Sequence, residues 1–208
     1  MASTIGALLL LWSVDHRELP AAAMSLTIER AARHSSVSVR DLFERFLAPE
    51  DRIKRLGTVV QAEQILILSG DLVRGRAVFF ETTGVSCKNC HRIQKDGKQV
   101  GPELTTIGKK QTRAQLLESI LEPSKRIDPK FVTSLAETTD GRLLTGLLVH
   151  KDNNEVILKD AQDKVRRIPH TKIEQLVPQR LSLILDLLVR DMTAQQIADL
   201  LAYLGSLK

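Results

Sequence analysis

The 208-residue sequence has few aromatic side chains, no long basic block and only two cysteines. Aromatic residues make up 3% of the chain, and the net charge of +5 arises from lysines and arginines interspersed with acidic residues. Proteins that bind nucleic acid usually present clustered basic side chains, so nucleic acid is not expected as a partner. The hydrophobic content of 43% is sufficient for a folded core.

The sequence also lacks an apolar run long enough to cross a membrane. The run from Ile5 to Val14 covers about ten residues, half of what a transmembrane helix needs. We therefore predict no integral membrane segment. The run is interpreted either as the core of a signal peptide, which would lack its usual basic start, or as a buried helix of a larger helical array. Apolar residues recur at helical spacing up to Leu68, so residues 1–68 are predicted to form a helical segment.

Two cysteines cannot form the disulfide framework of a chain of this size, and their spacing indicates another role. Cys87, Lys88, Asn89, Cys90 and His91 form a C-x-x-C-H motif. Two thiols at this spacing can each add to a vinyl group on one porphyrin edge, while the adjacent imidazole ligates the iron. A dithiol redox pair would not need the histidine, and a zinc site would need two more ligands. The motif predicts one covalent haem c, with Cys87 and Cys90 as attachment points and His91 as the metal ligand.

The residues after position 68 alternate between helical and extended patterns. Asp71 is a helix cap before an apolar helix, and two further helices are predicted at about Thr112 to Leu121 and Thr193 to Leu207. Between Phe131 and Val177 the apolar period changes to two, which is typical of an antiparallel β-meander. Residues 69–208 are therefore predicted to form the haem domain, with the meander inserted at about 131–177.

This arrangement resembles the class I cytochrome c fold. The residues that carry the resemblance are Gly75, Phe79, the stretch Gly101 to Leu104 and the stretch Leu200 to Leu204. The resemblance implies a mainly α fold in which Gly75 allows the last helix to cross at close range. It also implies that the Pro102 carbonyl accepts the Nδ1 proton of His91. The residues that it places around the haem are Phe79, Leu200 and Tyr203.

Three longer phrases resemble a narrower family, the haem-binding domain common in Planctomycetes and Verrucomicrobia. They are LLESILEPSKRID at 116–128, TTDGRLLTG at 138–146 and IPHTKIEQLVPQ at 168–179. That family usually forms the C-terminal end of large secreted proteins, after a dehydrogenase-like propeller and HEAT-type repeats. The resemblance implies a periplasmic or other extracytoplasmic location and a dehydrogenase domain or redox protein as partner. Residues 1–68 would be the tail of a repeat region, and the haem domain would not be an enzyme.

One position departs from that family and leaves the sixth iron ligand open. The family carries a methionine where this sequence has Ile184, which cannot ligate iron. Met192 is the preferred substitute, His150 and His170 are two others, and a five-coordinate or water-ligated haem is the remaining possibility. Methionine ligation raises the reduction potential, whereas an open position admits small ligands.

Three functional hypotheses follow from these observations. The first is an electron-transfer module whose haem edge is surrounded by lysines, namely Lys88, Lys95, Lys98 and Lys109. The second is a five-coordinate haem that binds small ligands or acts on peroxide. The third assigns the meander, with Arg166 and Arg167, to docking on the rest of a parent protein, although a cover over the haem explains it equally well.

Overall fold

A computed structural model of the chain describes residues 4–34, 36–82, 86–184 and 188–208, and the chain forms two compact units, Met1–Lys54 and Arg55–Lys208. The described part of the first unit contains three α-helices: α1 (Thr4–Asp15), α2 (Ala21–Ala32) and α3 (Val37–Glu44). Its core contains Ala7, Val14, Ala31, Val39 and Phe43. Within the described residues, none of the helices has the length and apolar character that a membrane crossing requires.

Among the residues of the second unit that the structure describes there are five α-helices, three of which begin at a side-chain cap. They are α4 (Ala62–Leu66), α5 (Leu72–Glu81), α6 (Ile107–Lys110), α7 (Arg113–Leu121) and α8 (Ala194–Ser206). The predicted cap at Asp71 is confirmed, because its Oδ1 accepts a 2.8 Å bond from the Arg74 amide. Thr112 and Thr193 each form a capping box with the glutamine three residues later, which satisfies the first free amides of α7 and α8.

Helices α5 and α8 cross at very close range. A Cβ atom added at Gly75 would lie 2.0 Å from the Asp199 carbonyl oxygen, so only glycine fits there. Beside the crossing, the buried Asp199 carboxylate accepts bonds from the Arg74 side chain at 2.7 and 2.9 Å and from the Asp71 amide at 2.8 Å. The crossing therefore combines backbone contact with an ion pair that connects the two helices.

The described strands of the second unit form two sheets. A short hairpin pairs β1 (Arg92–Ile93) with β2 (Asp96–Gly97). The larger sheet is antiparallel, has the order β6-β5-β4-β3-β7, and consists of β3 (Thr133–Thr138), β4 (Leu143–Lys151), β5 (Glu155–Lys159), β6 (Val165–Pro169) and β7 (Ile173–Gln179).

The prediction of a mainly α fold is wrong, because the large sheet is an architectural part of the second unit with a core of its own. Alternate residues of its strands pack together on one face, so the sheet buries apolar surface independently of the helices. The residues of this second core are Ala136, Leu144, Val156, Leu158, Ile168, Ile173 and Leu176. The unit is a mixed α and β structure.

Candidate haem site

The C-x-x-C-H motif folds as a single tight turn. Cys87–Asn89 form one turn of 3₁₀ helix, and the Cys87 carbonyl accepts bonds from the Cys90 amide at 3.1 Å and the His91 amide at 2.9 Å. The β1–β2 hairpin follows at once. At Gly97, where φ is +97°, an added Cβ would lie 2.2 Å from the His91 carbonyl oxygen. Glycine at this position lets the chain fold back over the motif.

The His91 side chain has one nitrogen fixed and the other left for a ligand. Its Nδ1 lies 2.9 Å from the Pro102 carbonyl oxygen, so Nδ1 carries the proton and donates it. Burial lowers the pKa of His91, although the bond to Pro102 opposes part of this effect, and the ring is neutral at pH 7. The Nε2 lone pair is then available to a metal. This tautomer fits an iron-ligating histidine.

The two cysteines are not joined to each other by a disulfide, and burial keeps their thiols protonated. Burial raises the pKa of Cys87 to about 11, and it also raises the pKa of Cys90. Both are free cysteines. Protonated thiols can add across vinyl double bonds, so the two cysteines and the neutral histidine together fit a covalently attached haem.

The segment from Lys98 to Pro102, called the strap below, forms backbone hydrogen bonds with the motif. The Lys98 amide donates to the Lys88 carbonyl at 2.8 Å. The amides of Val100 and Gly101 both donate to the Cys90 carbonyl, at 3.0 and 2.8 Å. A Cβ atom at Gly101 would lie 2.6 Å from Cε1 of His91, so the strap backbone contacts the imidazole ring directly.

A cleft next to His91 brings the strap together with the segment that follows the sheet. Its described lining residues are Cys90, His91, Val100, Gly101, Pro102, Phe131, Leu147, Ser182, Leu183 and Ile184. Thr133 donates from Oγ1 to the Leu181 carbonyl at 2.8 Å, which ties that segment to β3. Ile184 therefore lies in the same cleft as the predicted iron ligand.

The other residues predicted around the haem lie in the core that the helices of the second unit form. Phe79 and Leu200 are buried, and the Phe79 and Tyr203 rings lie 6.1 Å apart between α5 and α8. Met192 is 2% exposed and packs in this core too. His150 on β4 and His170 in the turn between β6 and β7 are both exposed, and His150 lies 3.1 Å from Asp152. None of the three substitute ligands lines the cleft beside His91.

Comparison with known proteins agrees with this geometry. The cytochrome c family model matches residues 72–141. A cytochrome c-553-like protein of Synechocystis sp. is 31% identical over 77 residues, which are 37% of this chain and 69% of that protein. The chain belongs to the cytochrome c family. Members of this family bind haem c, which contains iron, covalently and carry electrons, and this protein is a haem-binding, electron-carrying protein of that kind.

Some residues that shape the site of this cytochrome c could not be found from the sequence. Phe131, which ends the 3₁₀ turn before β3, and Leu147 of β4 both line the cleft, and Lys159 donates from Nζ to the Gln99 carbonyl at 3.3 Å. Their sequence positions show only apolar alternation and a strand end. Nothing in that pattern indicates which loop the sheet contacts.

Proposed function

We propose that Cys87 and Cys90 attach one haem c through thioether bonds and that His91 Nε2 ligates its iron. The observation that carries this proposal is the 2.9 Å bond from His91 Nδ1 to the Pro102 carbonyl. When bound, the haem supplies a reversible one-electron couple. Pro102 holds the proton at Nδ1, which leaves Nε2 unprotonated as the metal-binding nitrogen and raises its basicity. Gly101 limits rotation of the ring.

Expression with the haem maturation machinery tests this assignment. The denatured, reduced protein in alkaline pyridine should show the spectrum of a haem with two saturated vinyl positions, and its mass should include one haem. Cys87→Ala and Cys90→Ala should each give the spectrum of a haem with one thioether. Cys90→Ser keeps a side chain of similar size without the thiol, so it should give the same spectrum as Cys90→Ala if only the thioether bond matters. A protein that matures without covalent haem would contradict the proposal.

We propose further that the haem exchanges electrons with a protein partner, a dehydrogenase domain or separate redox protein, in the periplasm or elsewhere outside the cytoplasm. The phrases at 116–128, 138–146 and 168–179 support membership of the Planctomycetes and Verrucomicrobia type, in which residues 1–68 would be the end of a repeat region. The exposed lysines near the motif support an acidic partner surface; they are Lys88, Lys95, Lys98 and Lys109.

The charge of this surface can be measured with a small anionic oxidant. Oxidation of the reduced haem by ferricyanide should slow as ionic strength increases, because screening weakens long-range attraction. The double variant K88E/K95E should reduce the rate at low salt and flatten its salt dependence. The control variant K54E/K208E reverses two charges that lie far from the motif in sequence, and it should change the oxidation rate much less. An equal loss in both variants would show that only net charge matters.

A five-coordinate haem that binds small ligands is the second candidate function. Ile184 supports it, because this aliphatic side chain occupies the cleft beside His91 while Met192 is packed in the core. The wild-type reduced protein should then show a high-spin spectrum and bind CO rapidly. Ile184→Met should convert it to a low-spin form with a higher potential. Met192→Leu should change neither property; loss of a low-spin spectrum in that variant would identify Met192 as the sixth ligand instead.

A further inference from the structure

The turn between β5 and β6 contacts the strap that encloses His91. Lys159, the last residue of β5, donates from Nζ to the Gln99 carbonyl at 3.3 Å. In the opposite direction, Lys98 donates from Nζ to the Gln162 carbonyl at 3.5 Å. Two lysines from two different segments thus connect the sheet to the first residues of the strap.

The turn that carries Lys159 has its own internal bonds. Oδ1 of Asp160 accepts from the amides of Gln162 and Lys164 at 3.0 and 2.9 Å. Asp163 lies 3.1 Å from the Lys159 ammonium, whose side chain is only 24% exposed. An ion pair of this kind contributes little to stability. Its effect is to restrict the ammonium to one orientation, toward the Gln99 carbonyl.

The strap transmits that restraint over a short distance. Only two residues, Val100 and Gly101, lie between Gln99 and Pro102. Val100 is buried, both its amide and that of Gly101 are bound to the Cys90 carbonyl, and Gly101 lies against the imidazole. A segment so constrained cannot absorb a shift at Gln99 by bending, so the Pro102 carbonyl moves with it.

We propose that Lys159 is a positioning residue for the haem: it holds the strap so that the Pro102 carbonyl keeps its bond to His91 and thereby sets the basicity of the iron ligand. This inference rests on the proposed function, in which His91 ligates iron. A stronger carbonyl bond makes the imidazole a better donor and favours ferric iron. Loss of Lys159 therefore weakens the hydrogen bond from His91 Nδ1 to the Pro102 carbonyl and raises the reduction potential of the haem.

Loss of the positive charge of Lys159 by itself has the opposite effect, because it favours the ferric state and lowers the reduction potential. The control must remove the same charge without affecting the strap. Lys164 is exposed, lies on the same turn and has no strap contact through its side chain, so Lys164→Met meets this need. Lys159→Arg retains both charge and donor.

The experiment compares the three variants as haem-loaded full-length proteins with far-UV circular dichroism as a folding check. The readouts are the reduction potential and the solvent-exchange rate of the His91 Nδ1 proton, measured by NMR of the reduced protein. Lys159→Met should exchange this proton about tenfold faster than wild type, as expected from weakening one hydrogen bond. Its potential should exceed that of Lys164→Met. Lys159→Arg should restore both values.

Two results would overturn different statements. Equal exchange rates and potentials in Lys159→Met and Lys164→Met would refute the positioning role of Lys159 and leave haem ligation by His91 intact. If the wild-type haem protein has no iron-bound His91 resonance at all, the proposed function itself fails.

Discussion

Replacing Gly75 by alanine tests the close crossing of α5 and α8. The added Cβ would lie 2.0 Å from the Asp199 carbonyl oxygen and 2.8 Å from Cβ of Tyr203, whereas contacts under 3.0 Å are essentially never seen. The carbonyl belongs to the backbone, so a side-chain rotation cannot relieve the overlap. The two helices must therefore separate by about 1 Å at their contact.

The expected cost follows from two opposing terms. Overpacking that moves backbone costs up to about 3 kcal/mol. Alanine in place of glycine within a helix returns up to about 1 kcal/mol. We expect Gly75→Ala to lower the free energy of unfolding by about 2 kcal/mol, which corresponds to a decrease in Tm of roughly 4–8 °C for a unit of this size.

Urea unfolding of the full-length haem protein, followed by the Soret band, measures this change in the haem-bearing unit. Gly205→Ala is the matched control, because it is also a glycine in a helix but its added Cβ meets nothing within 4 Å. That variant should be as stable as wild type or more stable by a few tenths of a kcal/mol, about as the helix propensity predicts. If Gly75→Ala behaved like Gly205→Ala, the close crossing would be refuted.

Two further predictions concern the ion pair and the sheet core. Burial alone would raise the pKa of Asp199, but bonds from Arg74, the Asp71 amide and Gln195 outweigh it and the pKa is lowered. The stabilisation from the Asp199 carboxylate is therefore complete above the unfolded pKa of about 4 and is lost as pH falls through the lower pKa of the folded protein. Asp199→Asn should be less stable than wild type at pH 7, and the difference between their urea midpoints should narrow below pH 4. A difference that stays constant with pH would contradict this. Leu158→Ala should cost about 2–5 kcal/mol in thermal or urea unfolding because the side chain is 1% exposed. Val165→Ala, at a position 54% exposed, should change stability by less than about 0.5 kcal/mol, and equal effects would argue against the sheet core.

Helices α5, α7 and α8 of the second unit could be predicted from local chemistry, whereas α4 and α6 have no side-chain cap. The caps at Asp71, Thr112 and Thr193 are short-range interactions, and each helix begins at its cap. The strand segments could also be recognised from their period of two. The mixed α and β class does not follow from these segments, because the period of each strand does not show that the strands share one core.

Contacts between distant segments could not be predicted from the sequence. Lys159 and Gln99 are 60 positions apart, and Leu147 reaches the cleft beside His91 from the middle of a strand. Such contacts depend on how the sheet is oriented against the helices. Residue periodicity determines which face of a strand is apolar, but it contains no information on the loop that this strand meets.

The pairing of the first and last strands of the large sheet has a consequence for folding kinetics. Thr133 of β3 lies opposite Gln179 of β7, so the sheet begins and ends at adjacent points although about 45 residues lie between them. If the sheet forms early, the chain joining α7 to α8 behaves as a short loop. Between α7 and α8 lie 72 residues, of which 25 fall outside the sheet. This shortening is about one and a half halvings, and at about 0.6 kcal/mol of closure entropy for each halving it saves roughly 0.9 kcal/mol. Early sheet formation would therefore speed the docking of α8 on α7 about fourfold.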